Sequence, residues 1–251
     1  MSQRTLLIAT GTCCFLLFAI ALAPARIMAN LVPPDTATLT DLSGTIWRGR
    51  AQAVGAGGIQ LHDLSWKLHV PALLIGRVSL SLDVKWGSGY VRGDMALGLS
   101  GEFTVSDLRA AGSLVPVLRE MNLTGNTGDI AVDIKALDIA DLWPTRIVGS
   151  IRVGGLPLDM LGVSGGTAGS YELVFDIEEV ADDGAIPGVL SDGGGPLEVM
   201  GELRLMPPRD YVIEARVKAR PDAPADLAAG LMLIGPTLPD GSHEFRMSGS
   251  L

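Results

Sequence analysis

Strict alternation of apolar and polar side chains is the feature that most limits the folds open to this chain. Leu64, Trp66, Leu68 and Val70 interleave with Ser65, Lys67 and His69. Val78, Leu80, Leu82, Val84 and Trp86 interleave with Ser79, Ser81, Asp83 and Lys85. The rhythm returns over 130–134, 147–153, 171–177, 197–205 and 211–217. A period of two puts every second side chain on one face of an extended strand, so these segments predict antiparallel strands with one wet face. Two short helices are expected besides: Leu114 to Met121, capped by Ser113, and a second opened by Asp222 and Pro224, running through Leu233 and stopped by Gly235-Pro236. They are too small to cover the apolar face of so many strands. That face must meet a second sheet, the curl of its own sheet, a partner or lipid. The expected fold class is all-β, a strongly bent antiparallel sheet of half-barrel or roll form.

A recurring x-Gly-x-apolar unit is consistent with that bending. It occurs as SGTI at 43, RGDM at 92, SGEF at 100, VGSI at 148, MGEL at 200 and SGSL at 248. Glycine inside a strand marks a bend or bulge, and repeated placement curls a sheet. The alternative is chance, in a chain with 32 glycines. No fixed period accompanies the unit, so a solenoid is not supported.

The chain begins with an uncharged apolar run, Thr5 to Ala25. At ~1.5 Å per residue a helix of that length crosses a hydrocarbon core. A cleaved signal peptide competes, through the small-x-small form of Ala21-Leu22-Ala23, but Pro24 follows directly and would hinder cleavage. The expectation is therefore an uncleaved transmembrane anchor over 1–29, a short spacer with Pro33 and Pro34, and a β domain over 30–251. Glycine-rich stretches near 156–170 and 182–196 read as loops rather than domain boundaries.

Composition excludes several functions. The net charge is -9, and residues 1–29 hold Arg4 and Arg26 but no acid, so the remainder is more acidic still. An acidic body without a basic run repels nucleic acid and anionic headgroups. Both cysteines, Cys13 and Cys14, lie in the apolar run and cannot bridge the body of the protein.

Catalytic signals are weak. Gly162-Val163-Ser164-Gly165-Gly166 fits GxSxG, with His243 and downstream acids as conceivable partners for Ser164, but the residues after it are a poor helix start for a nucleophile elbow. His62 and His69 differ by an odd number and would face opposite ways on one strand. No zinc spacing and no phosphate-binding GxxxxGK[ST] occurs. Asn122-Leu123-Thr124 fits a glycosylation sequon, and the acid pairs Glu178-Glu179 and Asp182-Asp183 read as solvated loop ends. No catalytic residue, metal site or cofactor is implied.

Two stretches carry a resemblance. DLSGTIWRGR, Asp41 to Arg50, reads by itself as one glycine-punctuated strand with a core Trp47. LHDLSWKLHVPALLIGRVSLSL, Leu61 to Leu82, follows with Trp66 and a Leu-Leu-x-Gly-Arg turn at Leu73 to Arg77. The order of apolar run, SGTxWxGRA, Trp66 strand and LLxGR turn resembles the N-terminal half of the type II secretion system protein N family (general secretion pathway protein N). The resemblance covers roughly the first third of the chain well. It implies an accessory component of the type II secretion apparatus, which exports folded proteins across the outer membrane. It also implies a single-pass inner-membrane protein with its C-terminal domain in the periplasm, docking other secretion components. Gly44, Trp47, Gly49, Arg50, Trp66, Gly76 and Arg77 carry the motif and are expected to be structural. The glycine-punctuated β pattern is also similar to AsmA-like envelope proteins, which implies an alternative: a lipid-binding or lipid-transfer protein holding phospholipid in an apolar β-groove.

Overall fold

The computed structural model describes residues 11–12, 15, 18–19, 21–29, 38–56, 59–115, 127–156, 167–180, 182–232 and 235–250. The chain divides into two compact units, Met1–Gly87 and Ser88–Leu251. Every strand pairing described within them is antiparallel. The all-β expectation holds.

In the first unit a one-turn helix α1 (Arg26–Ala29) precedes β1 (Thr38–Thr40), β2 (Ser43–Gly44), β3 (Arg48–Ala56) and β4 (Ile59–Leu68). A second short helix, α2 (Val70–Leu73), then leads to β5 (Arg77–Trp86). The strand order is β1-β3-β4-β5, with β2 folded onto β3. The core of this unit is small: Ala25, Ala51 and Trp66, with Leu42, Leu61, Leu64, Leu80 and Leu82 packed around them. Leu80 and Leu82, on the apolar face read from sequence, are therefore occupied by the unit's own tryptophan.

The N-terminal expectation needs correction. Among the described residues no helix is long and apolar enough to cross a membrane, so a single-pass inner-membrane placement with a periplasmic domain is not supported. Most of the predicted anchor lies outside the described residues, but its last part does not. Leu22 is in a turn, Pro24 bridges Thr45, the Ala25 N–H donates to Gly44 O (3.0 Å), and the Ile46 N–H donates to Ala23 O (3.0 Å). Ala25 is buried beside Trp66. Residues 23–25 are thus tied to residues 44–46 by an isolated bridge and its two flanking hydrogen bonds, which breaks the helix expected to run through Ala25.

The second unit is a meander. β6 (Gly89–Gly98), β7 (Phe103–Ser113), β8 (Asp129–Ala140), β9 (Trp143–Gly154), β10 (Tyr171–Ile177), β11 (Ile186–Asp192), β12 (Leu197–Met206), β13 (Asp210–Ala219) and β14 (His243–Ser250) pair in sequence order. Helix α3 (Ala225–Leu231) lies between β13 and β14 and buries Leu227 and Leu231 against Ala168, Leu197, Val199, Ala215 and Val217. It matches the helix expected after Pro224. The other expected helix lies largely outside the described residues. Ser113 closes β7, and its hydroxyl accepts from the Val115 N–H (3.2 Å).

Bulges explain why the alternation is imperfect. Asp107, at φ 50°, inserts an extra residue into β7 opposite Gly93, so Phe103 and Val105 share a face with Leu108 rather than Asp107. A similar shift around Lys135 in β8 lies opposite Gly149, where any side chain would strike Asp133 O and Ile134. The recurring glycine unit therefore has no single role. Gly93 and Gly149 sit at bulges, Gly101 closes the β6–β7 turn, Gly201 lets β12 approach Ala215, and Gly249 lies over the Tyr211 ring.

Candidate functional site

The motif residues converge in the first unit, and they form a hairpin rather than one strand. Gly44 pairs Gly49 and Ser43 pairs Arg50, leaving Thr45 to Arg48 as the connecting turn. The Thr45 N–H donates to Arg48 O (2.9 Å), and the Arg48 N–H returns to Thr45 Oγ1 (3.2 Å). Gly44 has φ +90° and faces Arg48 O so closely that no side chain fits. The turn is set by this glycine and this threonine.

Trp66 locks the hairpin to the next strand. It pairs with Gly49 across β3–β4, and its ring occupies the space a Gly49 side chain would need. Its indole N–H donates to Ile46 O (3.1 Å), and the residue is only 7% exposed. The Leu68 N–H donates to Trp47 O (2.7 Å), which ties the hairpin tip to the end of β4. Trp47 is half-buried and Trp66 is the core residue, the reverse of the emphasis in the sequence reading.

The LLxGR turn has a different character. The Leu74, Ile75 and Gly76 N–H groups donate to Pro71, Ala72 and Leu73 carbonyls, and Gly76 at φ +72° reverses the chain into β5. This fixed turn presents Leu74 and Ile75 outward at 88% and 78% exposure, with Val70, Leu73 and Val78 also exposed. Arg77 follows as the exposed first residue of β5. The polar face of β3–β5 carries Arg48, Arg50 and Lys67 with one acid, Asp83; Arg48 is opposite Lys67, Lys67 opposite Ser81, and Asp83 opposite Ser65. Lys85 is engaged by Asp63 at 3.2 Å.

The expected site residues outside this region form no reaction centre. Ser164 and the rest of the GxSxG segment lie outside the described residues, as does Asn122. His243 is buried and its Nδ1–H donates to Gly235 O (3.1 Å). His69 Nε2 bonds Ser81 Oγ (2.8 Å), and His62 stands beside the Asp63 bulge. Among the described residues no group of His, Cys, Asp and Glu could hold a metal ion.

The second unit contains a tight polar cluster around Asp192. The Asp192 carboxylate accepts from the Gly194 and Val199 N–H groups (both 3.1 Å) and from Arg220 (2.7 Å), while Arg220 also donates to Gly195 O (2.8 Å). Burial would raise the Asp192 pKa, but the Arg220 hydrogen bond and the two amide donors together hold it below its ordinary value. Burial, reinforced by the Asp192 charge, pushes the Tyr171 phenol up, and its hydroxyl donates to Ala168 O (2.6 Å). Every partner here is satisfied, so the cluster fastens the β11–β12 turn to the end of β13.

The free edge of β14 escaped the sequence reading. Thr237 bridges His243, and the Glu244 N–H donates outward to Pro236 O (3.4 Å), covering the start of this strand. From Phe245 to Ser250, among the described residues, only β13 is paired with it. Alternation along an antiparallel strand then turns the Arg246, Ser248 and Ser250 N–H groups outward with that of Glu244.

Comparison with known proteins gives these features a family. The family model for the type II secretion system (T2SS), protein N, matches residues 36–246. The type II secretion system protein N of Vibrio cholerae serotype O1 is 25% identical over 91% of each chain. That of Aeromonas hydrophila is 24% identical over 98% of each, and that of Pectobacterium carotovorum 24% over 94% of this chain and 92% of its own. No solved structure matches the chain. With the motif hairpin, the Trp66 lock and a match over most of its length, the chain belongs to the type II secretion system protein N family.

Proposed function

We propose that this chain is a non-catalytic accessory component of the type II secretion system that works by docking other secretion proteins. The observation that carries the reading is the stretch of β14 from Phe245 to Ser250, six residues without proline whose outward N–H and C=O groups meet no other strand among the described residues. An extended segment of a partner adds there by main-chain pairing, with side chains at alternate positions giving selectivity. A photocrosslinking residue at Ser248 in cells tests it. An adduct with an identified secretion subunit, and loss of secretion in Ser248→Pro, are the expected results. Ser248→Pro removes only an outward N–H, whereas Met247→Pro breaks pairing with β13 and serves as the unfolding control. Normal secretion by a folded Ser248→Pro protein overturns the docking edge.

A second reading is favoured by a separate observation. Ile130, Val132, Leu137 and Ile139 of β8, and Ile147, Ile151 and Val153 of β9, are only half-buried. A β-groove for phospholipid acyl chains would be lined by such rows. Native mass spectrometry of protein extracted from cells decides it. Co-purified phospholipid lost in Ile151→Asp, with the fold retained, supports a groove; lipid-free protein rules it out. Leu80 and Leu82 are unsuitable for that test, since they pack on Trp66.

A further inference from the structure

We propose that the exposed turn after α2, together with the basic face of β3–β5, docks on an anionic lipid surface. Three observations converge. Leu73, Leu74 and Ile75 are consecutive exposed aliphatic residues, flanked by exposed Val70 and Val78. Scattered exposed leucines are ordinary, but five in nine residues held out by a hydrogen-bonded turn form a patch.

The cations lie at the same end of the sheet. Arg48 is opposite Lys67, Lys67 is opposite Ser81, and Arg77 stands on the Ser81 side of β5, two residues beyond Ile75. Among the described residues none of these three cations has an ion-pair partner, in contrast to Lys85.

Charge divides unevenly between the units. Residues 1–87 hold seven basic and four acidic residues, a net of +3; residues 88–251 hold twelve and twenty-four, a net of -12; together they make the -9 of the chain. The repulsion from anionic headgroups expected of the acidic body thus belongs to residues 88–251. An aliphatic tip bordered by cations matches a bilayer surface, where acyl chains lie just beneath phosphates. The tip lacks the aromatic anchors on which protein interfaces concentrate their binding. Contact of this kind inserts side chains without crossing the membrane.

The test places an environment-sensitive fluorophore on the full chain at Leu74→Cys, in a Cys13→Ser, Cys14→Ser background. The same label at Leu99→Cys is the control, because Leu99 is 90% exposed but lies in the acidic unit beside Glu102. Vesicles are phosphatidylcholine with or without phosphatidylglycerol. A blue shift and quenching by brominated acyl chains are expected at position 74, not at 99, only with phosphatidylglycerol, and weakening with salt. Lys67→Gln and Arg77→Gln should each lower partitioning about fivefold. A label at 74 that stays in water with anionic vesicles overturns the proposal. So does an equal response at 99, an equal response to neutral vesicles, or a shift produced by a second copy of the protein without lipid.

Discussion

At the level of single residues, Gly49 and Trp66 act as one unit. Gly49→Ala drives a methyl into the indole ring and should cost about 1–3 kcal/mol, as overpacking does. Trp66→Phe keeps most of the apolar contact but leaves Ile46 O without its donor, a loss of about 1–3 kcal/mol. Because the two side chains compete for one space, Gly49→Ala should cost less in a Trp66→Leu background. A double-mutant cycle on urea midpoints reads this coupling, and strict additivity would show that the ring and the glycine do not share that space. Asp192 gives a pH signature. Its folded pKa lies below the ordinary 3.8, so its stabilisation is complete above that value and lost as pH falls through the folded pKa. Asp192→Asn should be less stable near neutrality and show a flatter loss below pH ~4, measured as denaturation midpoint against pH.

Among the elements, the β8–β9 hairpin departs from the usual turn chemistry. Asp141 and Leu142 connect Ala140 to its partner Trp143, and both have positive φ, 51° and 62°. Two-residue turns of this kind favour Asp-Gly, and a leucine there bears a steric cost. Leu142 is 87% exposed, so Leu142→Gly should raise stability by about 1 kcal/mol, visible as a higher melting temperature. The legibility of the strands follows from the same local geometry. β4, β5, β8, β9, β10, β12 and β13 are readable because their apolar residues keep a period of two over several positions. β7 is hidden because the Asp107 bulge flips its parity, and β14 because Glu244, Arg246 and Ser248 alternate only with His243, Phe245 and Met247, a weak contrast. The motif is readable as residues but not as a hairpin, since closure depends on Gly44 at positive φ and a Thr45 side-chain bond. The exposed Leu74 and Ile75 are visible in sequence as a non-alternating run, yet their exposure comes from the α2 turn.

For the whole molecule, each unit has a core of its own, one around Trp66 and one around α3. Trp66→Ala should therefore strip amide hydrogen-exchange protection from residues 38–86 while residues 197–231 keep theirs. Equal loss in both would show that the two cores open as one cooperative body.

The sequence-ordered pairing of residues 88–251 bears on how the protein is made. From β7 onward each strand joins a neighbour already synthesised, with no later strand needed between them. The sheet can grow by accretion at one moving edge while the ribosome is still adding residues, with little loop-closure entropy per step. Among the described strands β14 is the last to join, so the edge proposed for a partner strand is also the latest of them to appear.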